Sequence, residues 1–271
     1  MHGVVADIDS PGKGAARMTT ASVPTVVFVH GAFTDASGFR GVIRELQSAG
    51  YPVVAPPNPL RGLAFDAAVV AAHVGAIDGP VVLVGHSYGG AVITQASAEL
   101  ENVVGLVYLA AFGLDVGESC ASLQQPFPPS LLASTTYPTA FDAPGAPRGP
   151  DLYIEKERFR ETFCADAPVD TAEAMFATQR PLSLAALTEN ATAAGWKTKP
   201  SWYLVSENDN AIPPAAERFM AERMGASTKS LAGSHTVFIA MPVAVAQFIV
   251  EALRHVELIK VAVEAPKGQA V

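Results

Sequence analysis

The stretch that decides the fold is Val81-Val-Leu-Val-Gly85-His86-Ser87-Tyr88-Gly89-Gly90. Its β-branched, apolar start predicts a buried strand, and the segment that follows it has the spacing of a helix. Between the two lies the pattern G-x-S-x-G, with Ser87 at its centre. A serine on so sharp a turn takes a strained backbone conformation, and the flanking glycines remove the side-chain clashes that would prevent it. Ser87 is therefore the candidate nucleophile.

Short strand-like runs alternate with helical segments on both sides of this stretch. The predicted strands are Val26–Val29, Tyr51–Ala55, Val81–Val84, Val104–Leu109, Trp202–Val205 and Thr228–Leu231. The predicted core helices are Gly38–Ala49, Phe65–Ile77, Gly89–Glu99, Ala215–Met224 and Pro242–Arg254. The first four runs are apolar without alternation, as expected of strands covered on both faces. The sequence thus predicts the α/β fold class, with a parallel sheet built from right-handed crossovers.

The alternation stops between residues 113 and 199. Gln124–Pro150 holds seven of the chain's 21 prolines, and since a proline cannot donate to a central ladder, this segment is predicted not to be sheet. Leu152–Phe163, Thr171–Gln179 and Leu182–Ala193 are predicted as short helices. We interpret residues 113–199 as an inserted, mainly helical cap over the carboxyl ends of the strands, where ligands bind in such folds. Gln124–Pro150 is expected to act as a mobile lid.

The remaining residues divide into a core and two ends. Residues 23–112 and 200–258 are predicted to form the α/β core. Residues 1–22 lack the apolar region of a secretory signal and are predicted to be a disordered leader, with Met18 as an alternative start. Residues 259–271 are predicted to be a C-terminal tail.

Composition narrows the classes of function. The chain has 271 residues, of which 16% are charged, and a net charge of −8 without a Lys/Arg cluster. Such a chain repels phosphate backbones, so neither nucleic acid nor a membrane surface is an expected partner. The longest apolar stretches, Val103–Phe112 and Ala240–Leu253, are shorter than the roughly 20 residues of a spanning helix. Cys120 and Cys164 lack metal-ligand spacing and are expected to be free buried thiols. These features predict a cytoplasmic protein.

An activated serine needs a base, and the base needs an acid that orients it. His235 is the candidate base, because it lies in the polar, glycine-containing loop Ala232-Gly-Ser-His-Thr after the last predicted strand. Asp209 follows strand 202–205 and is the candidate acid, which gives the chain order Ser87, Asp209, His235. Two other carboxylates stay open for this role: Glu207 in the same loop and Asp115 after strand 104–109. The histidines at the two glycine-rich turns, His30 and His86, are expected to make local hydrogen bonds.

A second glycine turn, His30-Gly31-Ala32-Phe33, follows the first strand. A backbone N–H from this loop, paired with that of Tyr88, would form an oxyanion hole beside Ser87. Ala32 is the preferred donor and Phe33 the second choice.

Together these motifs resemble the α/β-hydrolase superfamily. The resemblance rests on Val-Phe-Val-His-Gly-Ala, Gly-His-Ser-Tyr-Gly-Gly, Asp-Asn-Ala-Ile-Pro-Pro and Gly-Ser-His, and it extends from about Val23 to Val256. Because so little chain precedes His30, the sequence is similar to the short-headed branch that includes plant methyl esterases and hydroxynitrile lyases. The resemblance implies a mostly parallel six-stranded sheet flanked by helices. It also implies ester hydrolysis through an acyl-enzyme, with no metal and no organic cofactor. No lysine of the cap is assigned to the active site, because Lys156, Lys197 and Lys199 are all expected to face solvent. This weakens the lyase interpretation.

The predicted function is that of a serine esterase acting on a small, largely apolar ester. The cap is rich in aromatic side chains and presents no arginine pair suited to a carboxylate or phosphate. Most of these aromatic residues are expected in the core of the cap, and a few in the substrate pocket: Phe127, Tyr137, Phe141, Tyr153, Phe163, Phe176 and Trp196. The alternatives are a C–C lyase or perhydrolase using the same triad, and a non-catalytic small-ligand receptor. Whether the chain forms a homodimer stays open.

Overall fold

A computed structural model describes residues 23–145 and 149–264 of the chain, and the side chains of residues up to 258. The strands are β1 (Thr25–Val29), β2 (Val53–Val54), β3 (Val81–Ser87), β4 (Val103–Ala111), β5 (Thr136–Thr139), β6 (Asp151–Ile154), β7 (Leu182–Ser183), β8 (Ser201–Ser206) and β9 (Ser227–Leu231). The helices are α1 (Arg40–Ser48), α2 (Leu63–Gly75), α3 (Tyr88–Ala96), α4 (Cys120–Gln124), α5 (Leu132–Thr135), α6 (Lys156–Phe163), α7 (Val169–Ala177), α8 (Leu184–Thr188), α9 (Pro214–Arg223), α10 (Val237–Ala240) and α11 (Pro242–Glu264). The leader predicted at residues 1–22 lies outside the described residues.

Six strands form one parallel sheet in the order β2-β1-β3-β4-β8-β9. The predicted mostly parallel, six-stranded α/β sheet is therefore confirmed. Helices pack on both faces, which is why the central strands read as continuous apolar runs. Alternate residues of β1 point to opposite faces of the sheet. Val27 packs with α2 and α3, while Val26 and Phe28 pack with α1 and α11.

The ends of several elements differ from the prediction. The predicted strand Tyr51–Ala55 contains only the two-residue edge strand β2. The last helix, predicted to end at Arg254, continues to Glu264, so residues 259–264 of the predicted tail are helical. Residues 265–271 lie outside the described part of the chain.

The cap, residues 113–199, contains a sheet that the sequence did not reveal. Strands β5, β6 and β7 pair antiparallel in that order. The prediction that Gln124–Pro150 holds no sheet is therefore wrong at β5. Pro138 is tolerated because β5 is an edge strand, where an N–H that points away from the sheet has no ladder partner to lose. The helix predicted at Leu152–Phe163 begins as strand β6 and turns helical only at Lys156.

Another predicted cap helix is also shorter than expected. Leu182–Ala193 contains the two-residue strand β7 followed by α8, which ends at Thr188. The chain leaves the main sheet after β4 and returns to it at β8, the direct neighbour of β4. The cap thus adds no strand to the main sheet among the described residues. It lies at the carboxyl ends of the core strands, where its side chains share a cavity with Ser87.

Candidate active site

Ser87 occupies the turn between β3 and α3. Its backbone has φ 54° and ψ −126°, a strained conformation for a residue with a side chain. The turn is closely packed, because a Cβ atom on Gly89 would overlap the carbonyl oxygen of Val29 and one on Gly31 would lie 2.6 Å from Cβ of Ser87. Only 6% of Ser87 is exposed, at the cavity beneath the cap. Gly31 and Gly89 thus lie where the turn leaves no room for a side chain.

His235 and Asp209 form a buried pair in the loops after β9 and β8. Nδ1–H of His235 donates to Oδ2 of Asp209 at 2.5 Å. The other oxygen, Oδ1, accepts the backbone N–H groups of Ala211 at 2.6 Å and Ile212 at 2.8 Å. Because the carboxylate binds Nδ1–H, the neutral ring has its unprotonated nitrogen at Nε2. That atom is buried and has no hydrogen-bond partner in the described part of the chain.

The two alternative carboxylates lie elsewhere and have other partners. Asp115 pairs with Lys197 at 2.5 Å, and this hydrogen bond holds the pKa of Asp115 below its usual value. Glu207 binds Arg218, which lowers the pKa of Glu207 in the same way. Asp209 is thus the carboxylate that the structure brings to His235.

The backbone beside Ser87 distinguishes the two candidate donors of the first glycine turn. Phe33 has φ 60°, and its N–H donates to the carbonyl of Arg180 in the cap at 2.9 Å. The N–H groups of Ala32 and Tyr88 have no acceptor among the described residues. Ala32 and Tyr88 line the same cavity as Ser87, and Tyr88 is the first residue of α3, where unpaired N–H groups favour negative charge.

The cavity above Ser87 has a volume of about 440 Å³ and a mainly apolar wall. The cap supplies most of that wall, including Phe127, Leu152 and Leu187, with Gln124 and Gln125 among its few polar members. Of the predicted cap aromatics only Phe127 lines it; Phe163 packs against His235 and Phe159 instead.

The described cavity wall contains no Lys, Arg, Asp or Glu. Lys156 is exposed, as predicted. Lys197 is also exposed and pairs with Asp115, whereas Lys199 is half-buried and donates to the carbonyl of Leu100. No group of three or more His, Cys, Asp or Glu in the described ranges is arranged to hold a metal ion.

His86 supports the site in a way that its position in the sequence did not indicate. Its Nε2–H donates to the backbone carbonyl of His235 at 3.0 Å, so it joins two distant loops rather than making only a local bond. Burial lowers the pKa of His86 well below the ordinary value. The neutral ring of His86 therefore links the end of β3 to the loop that carries His235. His30 does bond locally, to Gly31, and also accepts the N–H of Asn58.

Two carboxyl groups near the site were missed from the sequence. Asp166 of the cap accepts both the N–H and the hydroxyl of Ser234, the residue before His235. Glu217 on α9 is fully buried and accepts the N–H of Ser206 at 3.0 Å. No spacing pattern could have revealed the contact that Asp166 makes. For Glu217, the spacing of three and four residues to Met220 and Ala221 was the signal that could have placed it on the buried face of α9.

Comparison with known proteins identifies the family. The model of the alpha/beta hydrolase family matches residues 26–248. A pyrethroid hydrolase of Sphingobium wenxiniae is 27% identical over 85% of this chain and 88% of its own length. Methylesterase 2 of Arabidopsis thaliana is 26% identical over 53% of this chain and 57% of its own length. The crystal structure of polyneuridine aldehyde esterase superposes with a TM-score of 0.73 at 19% identity, over 85% of this chain and 99% of that one. The chain belongs to the alpha/beta hydrolase family, and its relatives include methylesterases.

Proposed function

We propose that this α/β hydrolase is a serine esterase that cleaves small, largely apolar carboxylic esters through an acyl-enzyme. The observations that carry the proposal are the buried His235–Asp209 pair with its free Nε2 and the strained Ser87, whose neighbour His86 is hydrogen-bonded to the carbonyl of His235. A carboxylate that fixes the tautomer of an imidazole is the usual means of turning that ring into a base for a serine.

In the proposed mechanism, Ser87 Oγ attacks the ester carbonyl while Nε2 of His235 takes the hydroxyl proton. Asp209 stabilises the imidazolium that forms. The carbonyl oxygen becomes an anion and is held by the N–H groups of Ala32 and Tyr88, each contributing about 2.7–4 kcal/mol. His235 then passes its proton to the leaving alcohol, and a water molecule attacks the acyl-enzyme by the same steps in reverse.

The proposed substrate is uncharged and mainly apolar. A charged group would lose its hydration on entering a cavity without a countercharge, at a cost of several kcal/mol. The cavity volume lies in the usual range for small-molecule sites. Two relatives carry names that fit ester chemistry, a pyrethroid hydrolase and a methylesterase.

The sequence alternatives differ from this proposal in what they require of the site. A C–C lyase on the same residues is disfavoured because the described cavity wall has no lysine to act as an acid. A perhydrolase or a non-catalytic receptor would show itself by peroxide-dependent turnover or by binding without turnover. Among the described residues, no helix has the length and apolarity needed to cross a membrane. The cytoplasmic location stays a prediction.

The test is hydrolysis of short-chain p-nitrophenyl esters together with labelling by a fluorophosphonate. Ser87→Ala is expected to lower kcat by roughly four orders of magnitude or more and to abolish labelling. Ser227→Ala is the matched control, since Ser227 is exposed on β9 and lies outside the cavity wall, and it is expected to keep both. Hydrolysis or labelling that survives in Ser87→Ala contradicts the proposal, and cyanide release from a cyanohydrin without ester turnover replaces it with a lyase.

A further inference from the structure

A second hollow lies next to the substrate cavity, at the surface between the cap and α9, and we call it the outer hollow. It has a volume of about 230 Å³, and its wall includes Leu123 of the cap and Phe219 of the core. Phe219 is 45% exposed, so the outer hollow faces solvent. Among the described residues, Phe127 alone belongs both to this wall and to the wall of the cavity above Ser87. The two spaces therefore meet at Phe127.

One layer of chain separates the outer hollow from the cavity. On α4, Cys120 and Gln124 line the cavity, whereas Leu123 lines the outer hollow. Beyond α4, Pro126 lines the outer hollow and Pro128 lines the cavity. Since neighbouring residues of one segment line different spaces, residues 120–129 form a partition between the two.

The partition is stiff around Phe127. Residues 126, 128 and 129 are prolines, whose rings fix φ, and a residue that precedes a proline has few allowed conformations of its own. Phe127 follows one proline and precedes another. Its N–H also donates to the carbonyl of Gln124, the last residue of α4, at 3.0 Å. The backbone therefore holds the side chain of Phe127 in place at the partition.

The ring of Phe127 is also supported from the side of the outer hollow. Its centroid lies 5.7 Å from that of Phe219 at an interplanar angle of 55°, within the range in which aromatic rings attract each other. The guanidinium of Arg223 lies 5.1 Å from the centroid of Phe219, and it binds the carboxylate of Glu118 at 2.6 and 2.9 Å. These contacts join the partition to α9 of the core. A substrate chain that pushed the ring aside would have to break them.

We propose that Phe127 is a specificity-determining residue, whose ring closes this end of the cavity and limits the length of the ester that the enzyme accepts. The inference rests on the proposed esterase function. It narrows the substrate class to esters whose apolar acyl or alcohol group is compact enough to end at Phe127. A longer chain has to displace the ring or leave its end in water.

The outer hollow shows what the ring prevents. Without the ring, the cavity of about 440 Å³ would open into the outer hollow of about 230 Å³. The end of a long apolar chain would then pass along Leu123 and Phe219. Each methylene that moves from water to apolar surroundings strengthens binding by up to about fourfold. For several partly buried methylenes the gain is therefore about tenfold or more.

The activity test compares long and short esters in Phe127→Ala. One series is p-nitrophenyl dodecanoate against the butyrate, and the other is dodecyl acetate against butyl acetate, each ester kept below the concentration at which it aggregates. The long-to-short ratio of kcat/KM is expected to rise about tenfold or more over wild type in at least one series. The series that responds identifies whether the acyl or the alcohol group reaches Phe127. Because each ratio is measured on one preparation, the fraction of folded protein cancels from it.

Two further variants show whether the ring itself is responsible. Phe127→Tyr keeps the ring and should keep the wild-type ratio. Phe65→Ala is the matched control, since Phe65 is exposed on α2 and lies outside both walls, and it should also keep that ratio. The inference is overturned if Phe127→Ala raises neither ratio beyond about threefold, or if either of the other two variants raises the ratio as much as Phe127→Ala does.

An independent test needs no turnover. Butyl and dodecyl p-nitrophenyl ethers have no ester carbonyl for a serine to attack, and their Kd values can be measured by equilibrium dialysis. The butyl-to-dodecyl ratio of Kd is expected to rise about tenfold or more in Phe127→Ala and to stay at the wild-type value in Phe65→Ala.

The two proposals fail in different ways. A ratio of ether Kd values that is unchanged in Phe127→Ala overturns the role of Phe127, even where Ser87→Ala abolishes hydrolysis. Hydrolysis that survives Ser87→Ala refutes the esterase, even where the ratio of ether Kd values rises as expected.

Discussion

The core and the cap of this hydrolase divide the site between them. The core contributes the residues of the proposed chemistry, at the ends of β3, β8 and β9, on strands that helices cover from both sides. The cap contributes most of the apolar wall above Ser87. Its own sheet has only three short antiparallel strands. A rigid sheet is suited to hold reacting groups in fixed positions, whereas a small inserted unit can vary in shape without disturbing them.

The division is incomplete, because the cap is hydrogen-bonded to three of the loops that carry the proposed machinery. The carbonyl of Arg180 accepts the N–H of Phe33 beside the proposed oxyanion donors. The N–H of Leu131 donates to the carbonyl of Asn210, next to Asp209. Asp166 binds Ser234, next to His235. The cap therefore lines the cavity and also supports three loops of the site. The predictions below test how large each contribution is.

The largest expected effect is in the core. Asp209→Asn should lower kcat about 10⁴-fold, because an amide presents its N–H to the ring and favours the wrong tautomer. Asp115→Asn is the matched control, a carboxylate at the end of β4 that pairs with Lys197 instead of the base, and it should change kcat less than about twofold. Steady-state hydrolysis of a p-nitrophenyl ester measures both.

The opposite ranking would reassign the acid. If Asp115→Asn lost activity and Asp209→Asn retained it, the pair seen at His235 would not be the one that acts in the reaction.

The sequence predicted the core better than the cap for a physical reason. Strands covered on both faces leave long apolar runs, and Gly89 and Gly31 mark turns that have no room for a side chain. Strand β7 has two residues, too few to show any periodicity, and β5 contains a proline. Chain order was compatible with Asp209 and with both of its rivals, and only coordinates could show which carboxylate meets His235.

Long-range contacts between polar side chains were beyond the sequence altogether. Asp166 and Ser234 are 68 positions apart, and Asp166 belongs to no motif. Glu217 is buried together with Ala216, Met220 and Ala221, on the face of α9 that packs against the sheet. Such contacts depend on the tertiary structure, so the local secondary-structure preferences of the sequence do not predict them.

An intermediate effect is expected where Asp166 of the cap supports the loop that carries His235. Asp166→Ala removes both acceptors of Ser234 and loosens the loop that carries His235, so kcat should fall about threefold to tenfold. KM should stay within about twofold, because Asp166 is not part of the cavity wall. Asp170→Ala, at an exposed position whose carboxylate bonds to Thr171, is the control and should leave kcat unchanged.

An effect of Asp166→Ala on KM alone would restrict the cap to substrate binding. A loss confined to kcat would make the cap part of the positioning of the base.

The smallest effect is expected at the edge of the cap sheet. Pro138, Leu152 and Leu182 occupy one rung across β5, β6 and β7, so the same residue type can be compared at the edge and in the centre. Pro138→Val gains β propensity but loses the restriction that proline places on the unfolded chain, and the two roughly cancel. Its Tm should stay within about 2 °C of wild type.

Leu152→Pro places proline in the middle strand of that rung, where an N–H is lost from a ladder with neighbours on both sides. It should cost about 3 kcal/mol or more and lower Tm by about 6 °C or more. Equal shifts in the two variants would mean that the cap sheet contributes little to stability and that its prolines mark a loosely held segment. Unequal shifts would mean that Pro138 is tolerated because of its edge position, so that a proline-rich segment of a cap can still supply an outer strand.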